Sequence, residues 1–201
     1  MSSAVDLQCL RACLLPQPYK GERVEEDGLA VQDALTPAAV LVPIVLHQDQ
    51  PSVLLTQRTA HLRDHAGQIS FPGGRIESDD RSVVDAALRE AEEEVGLPPE
   101  HVEVVGFLPE YRTGTGFSVT PVVAFVRPLL MLRPDPFEVA EVFEVPLAFL
   151  LDPANHQQHE VHWRGKLRQY HAIPYGDRFI WGATAGMLIS LFNRFSILRE
   201  A

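Results

Sequence analysis

Three glutamates within residues 71–97, FPGGRIESDDRSVVDAALREAEEEVGL, have the spacing to act together. Glu90, Glu93 and Glu94 stand at i, i+3 and i+4, so on a helix they project from one face. Carboxylates gathered in this way suit a hard divalent cation, which takes oxygen ligands. Without a cation, like charges at that spacing repel. The same pattern also fits a solvated helix face, because glutamate is a good helix former and charge runs commonly face water. The glycine pair Gly73 and Gly74, Arg89 beside Glu90 and the helix-ending Gly96 favour the metal site.

Such a helix must be held against something. Val84, Ala87, Leu88, Ala91 and Val95 fall on a second stripe, which suits packing on a sheet. The strands are legible as apolar runs. Residues 38–46, AAVLVPIVL, form a continuous run of buried-strand length, in which Pro43 predicts a bulge or an edge. Residues 52–58, 102–108 and 118–126 read as further strands, and EVHWRG and LRQYHAI as a pair joined by a turn at Arg164 and Gly165. A short helix is expected over 5–15, a polar acidic connector over 21–36, and an apolar helix ending near Leu198.

Composition narrows the class. With 201 residues and 46% hydrophobic content, the chain suits one well-buried domain, taken as residues 37–201 with 1–36 as an N-terminal helix and connector. The net charge of −10 argues against a nucleic-acid groove. An anionic substrate stays open, since bound cations invert the local field. No apolar run is long enough to span a bilayer and no signal peptide is evident, so a cytoplasmic location is expected. Cys9 and Cys13 read as small apolar fillers. Patterning alone supports an α/β or α+β single domain.

The segment Arg89-Glu90-Ala91-Glu92-Glu93-Glu94-Val95-Gly96-Leu97 resembles the second half of the Nudix hydrolase box, G-x5-E-x7-R-E-U-x-E-E-x-G-U. The first half departs from it. Five residues lead from Gly74 to Asp80 where the box has glutamate, and eight, not seven, separate Asp80 from Arg89. Upstream, residues 54–74 (LLTQRTAHLRDHAGQISFPGG) are similar to the signature of the coenzyme A pyrophosphatase branch, LLTxR[SA]x3Rx3Gx3FPGG. Leu54, Leu55, Thr56, Arg58, Arg63, Gly67, Phe71, Pro72, Gly73 and Gly74 match, and Thr59 stands where serine or alanine is usual. The IWGATA segment at 180–185 extends the likeness.

The resemblance implies the Nudix fold, a mixed β-sheet sandwiched between helices. It also implies hydrolysis of the diphosphate of coenzyme A or its derivatives, giving 3′,5′-ADP and 4′-phosphopantetheine or the acylated equivalent. Glu90, Glu93 and Glu94 would hold Mg²⁺ or Mn²⁺, with Glu93 and Glu94 counted as catalytic and Arg89 as their support. Gly73 and Gly74 would let the loop approach closely. Arg58 and Arg63 suit phosphate oxygens, with a surface ion pair as the alternative for each. Phe71 joins them as a substrate contact.

Arg112 and Phe117 lie in a glycine-containing loop that offers further contacts, or equally a β-turn and a core aromatic. Glu138 and Glu141, brought together by helical spacing, are candidates to help deprotonate the attacking water, or helix-start acids. His61 and His65 are assigned no role, and Trp181 reads as a packing anchor for the last helix.

Two competitors belong beside this expectation: hydrolysis of another nucleoside diphosphate such as ADP-ribose or a dinucleotide, and a non-catalytic nucleotide-binding Nudix domain. The intact glutamates count against the second. An acidic interaction module leaves the glycine loop and the upstream signature unexplained. A small-molecule partner and a homodimer complete the expectation.

Overall fold

The apolar run beginning at Ala38 becomes the middle of a sheet. The protein is described from a computed structural model covering residues 5–18, 21, 23–25, 35–61, 66–128, 131–163 and 166–200. Its helices are α1 (Leu7–Ala12), α2 (Val83–Val95), α3 (Leu147–Leu150) and α4 (Ala183–Glu200). Its strands run β1 (Arg23–Glu25), β2 (Thr36–Val45), β3 (Ser52–Arg58), β4 (Ile69–Ser70), β5 (Gly73–Arg75) and β6 (Val102–Phe107). They continue as β7 (Glu110–Arg112), β8 (Phe117–Val126), β9 (Val139–Pro146), β10 (Gln157–Trp163), β11 (Lys166–Tyr175) and β12 (Arg178–Trp181).

The main sheet has the order β1-β7-β8-β2-β3-β4, with β5 on β2, β6 on β8 and β9 on β3. It is mixed, because β2 runs parallel to β8 while β3 and β5 run antiparallel to β2. One face packs against α2 through Ala39, Leu41 and Leu54 meeting Ala86, Ala87, Ala91 and Val95. The other packs against α1 and α4, with Leu10, Val42, Ile44, Leu55, Leu188 and Leu191 in one core. This is an α/β domain with its sheet between helices, as expected. A second, three-stranded sheet, β10-β11-β12, follows.

Pro43 marks neither an edge nor a bulge. β2 keeps an unbroken register with β8, and on its other side pairs with β5 at 38–40 and with β3 only at Ile44 and Val45. Pro43 sits between those two partners, on the side to which the Leu41 amide donates (to Pro72 O, 2.9 Å). Its missing N–H therefore interrupts no ladder there.

Two other expectations are corrected. Glu138 and Glu141 share no helix: Glu138 lies in a turn and Glu141 on β9. Trp181 is no anchor, being 42% exposed with its ring edge-on to Tyr170, while its neighbour Ile180 is the buried residue. Among the described residues, no helix is long and apolar enough to cross a membrane. The turn at 164–165 and most of the connector lie outside the described residues.

Candidate active site

α2 is fixed at both ends. The Ser82 hydroxyl accepts from the Asp85 amide at 3.1 Å, and Gly96 closes the helix in the left-handed region at φ 67°. Alanines at 86, 87 and 91, all fully buried, let the helix lie close to the sheet. Close approaches on two sides explain the glycines of β5, Gly73 against β2 and Gly74 against α2. A Cβ on Gly73 would stand 2.5 Å from the Ala39 carbonyl oxygen, and one on Gly74 would stand 2.6 Å from Glu90 Oε1.

The helix thereby turns Glu90 and Glu94 toward β5 and β3. Glu94 is only 6% exposed. Its Oε2 accepts from the Gly73 amide at 3.2 Å, and its Oε1 lies 3.7 Å from Arg58 Nη1. Burial pushes the Glu94 carboxyl up to about 7, with the charges of Glu90 and Glu138 adding to the rise and the Gly73 amide and Arg58 opposing it. Burial also raises Glu90, which feels Glu93 and Glu138 in addition, against the opposing bond from Arg89. Glu93 is the exposed member of the three.

Arg89 braces this cluster. Its Nη1 donates to Glu90 Oε1 at 3.0 Å and to Glu93 Oε2 at 3.1 Å, while Nε and Nη2 donate to the two oxygens of Asp80, each at 3.0 Å. Asp80 thus takes the partner role that the shifted spacing left open. Desolvated carboxylates held side by side are at odds with their own charge, and a hard cation would relieve this. Among the described residues no three acidic, histidine or cysteine side chains already converge on one point. Glu90 and Glu93 turn to Arg89 instead.

The other predicted residues divide. Arg58 reaches the cluster, and its buried Nε has no hydrogen-bond partner among the described residues. Glu138 is near enough for its charge to act on both Glu90 and Glu94. Glu141 is not part of the group. It alternates on β9 with Val142, which faces α2, and its carboxylate meets Arg178 Nη2 at 2.5 Å. Phe71, expected as a substrate contact, is 2% exposed in the core on the α4 side of the sheet.

Arg112 is on β7, paired with Glu110 Oε1 at 3.0 Å. It is three strand positions from β3, or roughly 14 Å across the ladder. Phe117 packs against the α4-side core. Arg63 and His65 lie outside the described residues. Sequence reasoning passed over Thr59, which holds the turn bearing Glu138, because a small residue for a small residue carried no visible signal.

Comparison with known proteins places this geometry in a class. Residues 35–164 match the family model of the NUDIX domain. The chain is 49% identical over 154 residues to a protein of Escherichia coli O1:K1 described as "Uncharacterized Nudix hydrolase NudL", covering 77% of this chain and 80% of that protein. A protein of Shigella boydii serotype 18 with the same description matches to the same extent. Among solved structures, a MutT protein from Methanosarcina mazei Go1 has a TM-score of 0.52 at 17% identity, covering 86% of this chain and all of the other, which speaks to fold alone. The chain belongs to the Nudix hydrolase family.

Proposed function

We propose that this protein is a divalent-metal-dependent hydrolase of the diphosphate bond in coenzyme A or its derivatives, releasing 3′,5′-ADP and 4′-phosphopantetheine or its acylated form. The observation that carries this reading is Arg58. A guanidinium that is 26% exposed and stands 3.7 Å from the buried Glu94 carboxylate, beyond hydrogen-bond distance, has donors left for a phosphate oxygen. The choice of coenzyme A rests on the likeness of residues 54–74 to that branch's signature.

Nudix hydrolases generally use ions such as Mg²⁺ or Mn²⁺, and the donor set here fits one: glutamate oxygens only, two of them desolvated, with Glu90 seated where Gly74 leaves room. Glu90, Glu93 and Glu94 would hold the ion. When bound, it would neutralise charge on the diphosphate and lower the pKa of a water. Arg89, locked by Asp80, orients Glu90 and Glu93. Arg58, and Arg63 from its matching position in the signature, would bind phosphate oxygens. Glu138 is the proposed acceptor of the attacking water's proton, chosen because its charge is felt by Glu90 and Glu94.

The test is a product assay by mass spectrometry: coenzyme A or ADP-ribose with protein, in Mg²⁺, Mn²⁺ or chelator, beside Glu94→Gln. Metal-dependent 3′,5′-ADP that is lost in the variant is expected. Cleavage of ADP-ribose with coenzyme A left intact would overturn the substrate and leave the chemistry standing.

A further inference from the structure

The turn that carries Glu138 is short of support of its own. It is an Asp135-centred turn in which the amides of Glu138 and Val139 donate to the Asp135 carbonyl at 3.1 and 2.8 Å. The Phe137 amide donates to Asp135 Oδ1 at 2.9 Å. Phe137 itself is 65% exposed, so no burial of its ring in the core pins the turn.

Two outside attachments hold it. On one side it hangs from the end of α2, where the Asp135 amide donates to the Glu94 carbonyl at 2.9 Å and the Arg133 amide to the Val95 carbonyl at 3.0 Å. On the other it hangs from Thr59. The Thr59 amide donates to the Glu138 carbonyl at 2.9 Å, and the Thr59 hydroxyl donates to the Phe137 carbonyl at 2.8 Å. His61 adds an edge-on ring contact to Phe137 at 4.9 Å. Thr59 directly follows Arg58, at a point where the β3–β9 register shifts. The backbone bond survives any substitution but proline, whereas the hydroxyl bond requires serine or threonine. Thr59 is 7% exposed and its bond to the Phe137 carbonyl is part-buried, so losing the hydroxyl costs that carbonyl a partner.

We propose that Thr59 is a positioning residue, whose hydroxyl fixes the Phe137–Glu138 turn and so holds the Glu138 carboxylate beside Glu90 and Glu94. This rests on the role proposed above for Glu138. One residue thereby joins the phosphate-binding arginine to the base-bearing turn.

The test combines hydrogen exchange with a double-mutant cycle. Thr59→Val keeps the β-branched shape and loses the bond, whereas Thr59→Ser keeps it. In metal-free protein, Thr59→Val is expected to speed amide exchange across residues 135–139 by about tenfold, with Thr59→Ser at the wild-type rate. With coenzyme A, Thr59→Val should lower kcat by about tenfold with KM held within about twofold, and Thr59→Ser should restore it.

In a Glu138→Gln background, Thr59→Val should add nothing further, an outcome that a purely structural bond would not give. Unchanged exchange in Thr59→Val overturns the proposal. So does faster exchange with unchanged kcat while Glu138→Gln is impaired. If Glu138→Gln itself is fully active, the role of Glu138 falls and the proposal falls with it.

Discussion

Asp80 and Arg89 form a two-point ion pair, with Oδ1 accepting from Nε and Oδ2 from Nη2, each at 3.0 Å. The extra residue between them is taken up in a turn, where the Glu77 amide donates to Asp80 Oδ2 at 2.8 Å and the Asp80 amide to the Glu77 carbonyl at 3.2 Å. A shorter acid on a longer approach thus reaches the same guanidinium. The third arm of Arg89 then remains committed to Glu90 and Glu93.

Asp80→Asn keeps the size but loses charge and one acceptor, so Arg89 gains freedom to leave Glu90. Activity is expected to fall by about ten- to hundredfold, the usual cost of losing support behind a metal ligand. Mn²⁺ affinity measured by calorimetry should weaken in parallel. The Arg89 guanidinium holds the Asp80 carboxyl below its ordinary 3.8, so the brace is fully present above that value and is lost only as pH falls below it.

Glu94 gives the opposite pH dependence. Its folded-state value, about 7, lies above the ordinary 4.5, so between these the folded state binds more protons than the unfolded chain. Metal-free protein should therefore lose stability as pH rises through that window, by on the order of 3 kcal/mol at most. Glu94→Gln should flatten the profile and raise Tm at pH 8, while saturating Mn²⁺ should restore wild-type stability there. A wild-type Tm that climbs from pH 5 to 7 without metal would contradict this.

The two glycines predict different failures. Gly73→Ala would drive a Cβ to 2.5 Å from a backbone oxygen, at φ 155° where side chains are rarely accommodated, so stability should fall by about 2 kcal/mol or more. Gly74→Ala meets only the end of the Glu90 side chain, at 2.6 Å. That end can move, so Tm should change little. Displacing Glu90 should still cost about tenfold in Mn²⁺ affinity. Denaturation and calorimetry on both variants separate these outcomes.

The helix and its glutamate face were legible because periodicity and the glycine stop are local: Gly96 and the apolar stripe through Ala87 and Ala91 act within one or two turns. β3 was legible to the residue, since an apolar run between polar ends defines a buried strand. What was not legible depends on partners distant in sequence. Pro43 misled because its tolerance comes from a change of neighbour from β5 to β3. Trp181 misled because its strand turns one face outward, a matter of sheet packing. Phe71 belongs to a motif associated with substrate, yet its alternation on the chain sends its ring into the core. Arg58 and Glu94 are far apart in sequence, and only the crossing of β3 and α2 brings them to 3.7 Å.

Glu138 and Glu141 meet different partners in the fold, and the proposed role follows only the first. Sequence spacing joins them, but β9 begins between them, so strand alternation replaces helical periodicity. Glu141 is spent on Arg178, whose guanidinium also lies 4.4 Å from the Phe143 ring centroid. Its loss removes a half-exposed ion pair and should leave kcat within about twofold and stability within about 1 kcal/mol. Glu138 instead raises the proton affinity of Glu90 and Glu94 through its charge. Glu138→Gln should lower kcat by about a hundredfold with little change in KM, the signature of a group acting on the attacking water more than on bound substrate. It should also lower the Glu94 pKa, because one repelling charge is gone, and metal-free stability should then decline over a narrower pH range. Equal losses of kcat in Glu138→Gln and Glu141→Gln would show that neither acid acts by position, and would return the choice of base to the glutamates of α2.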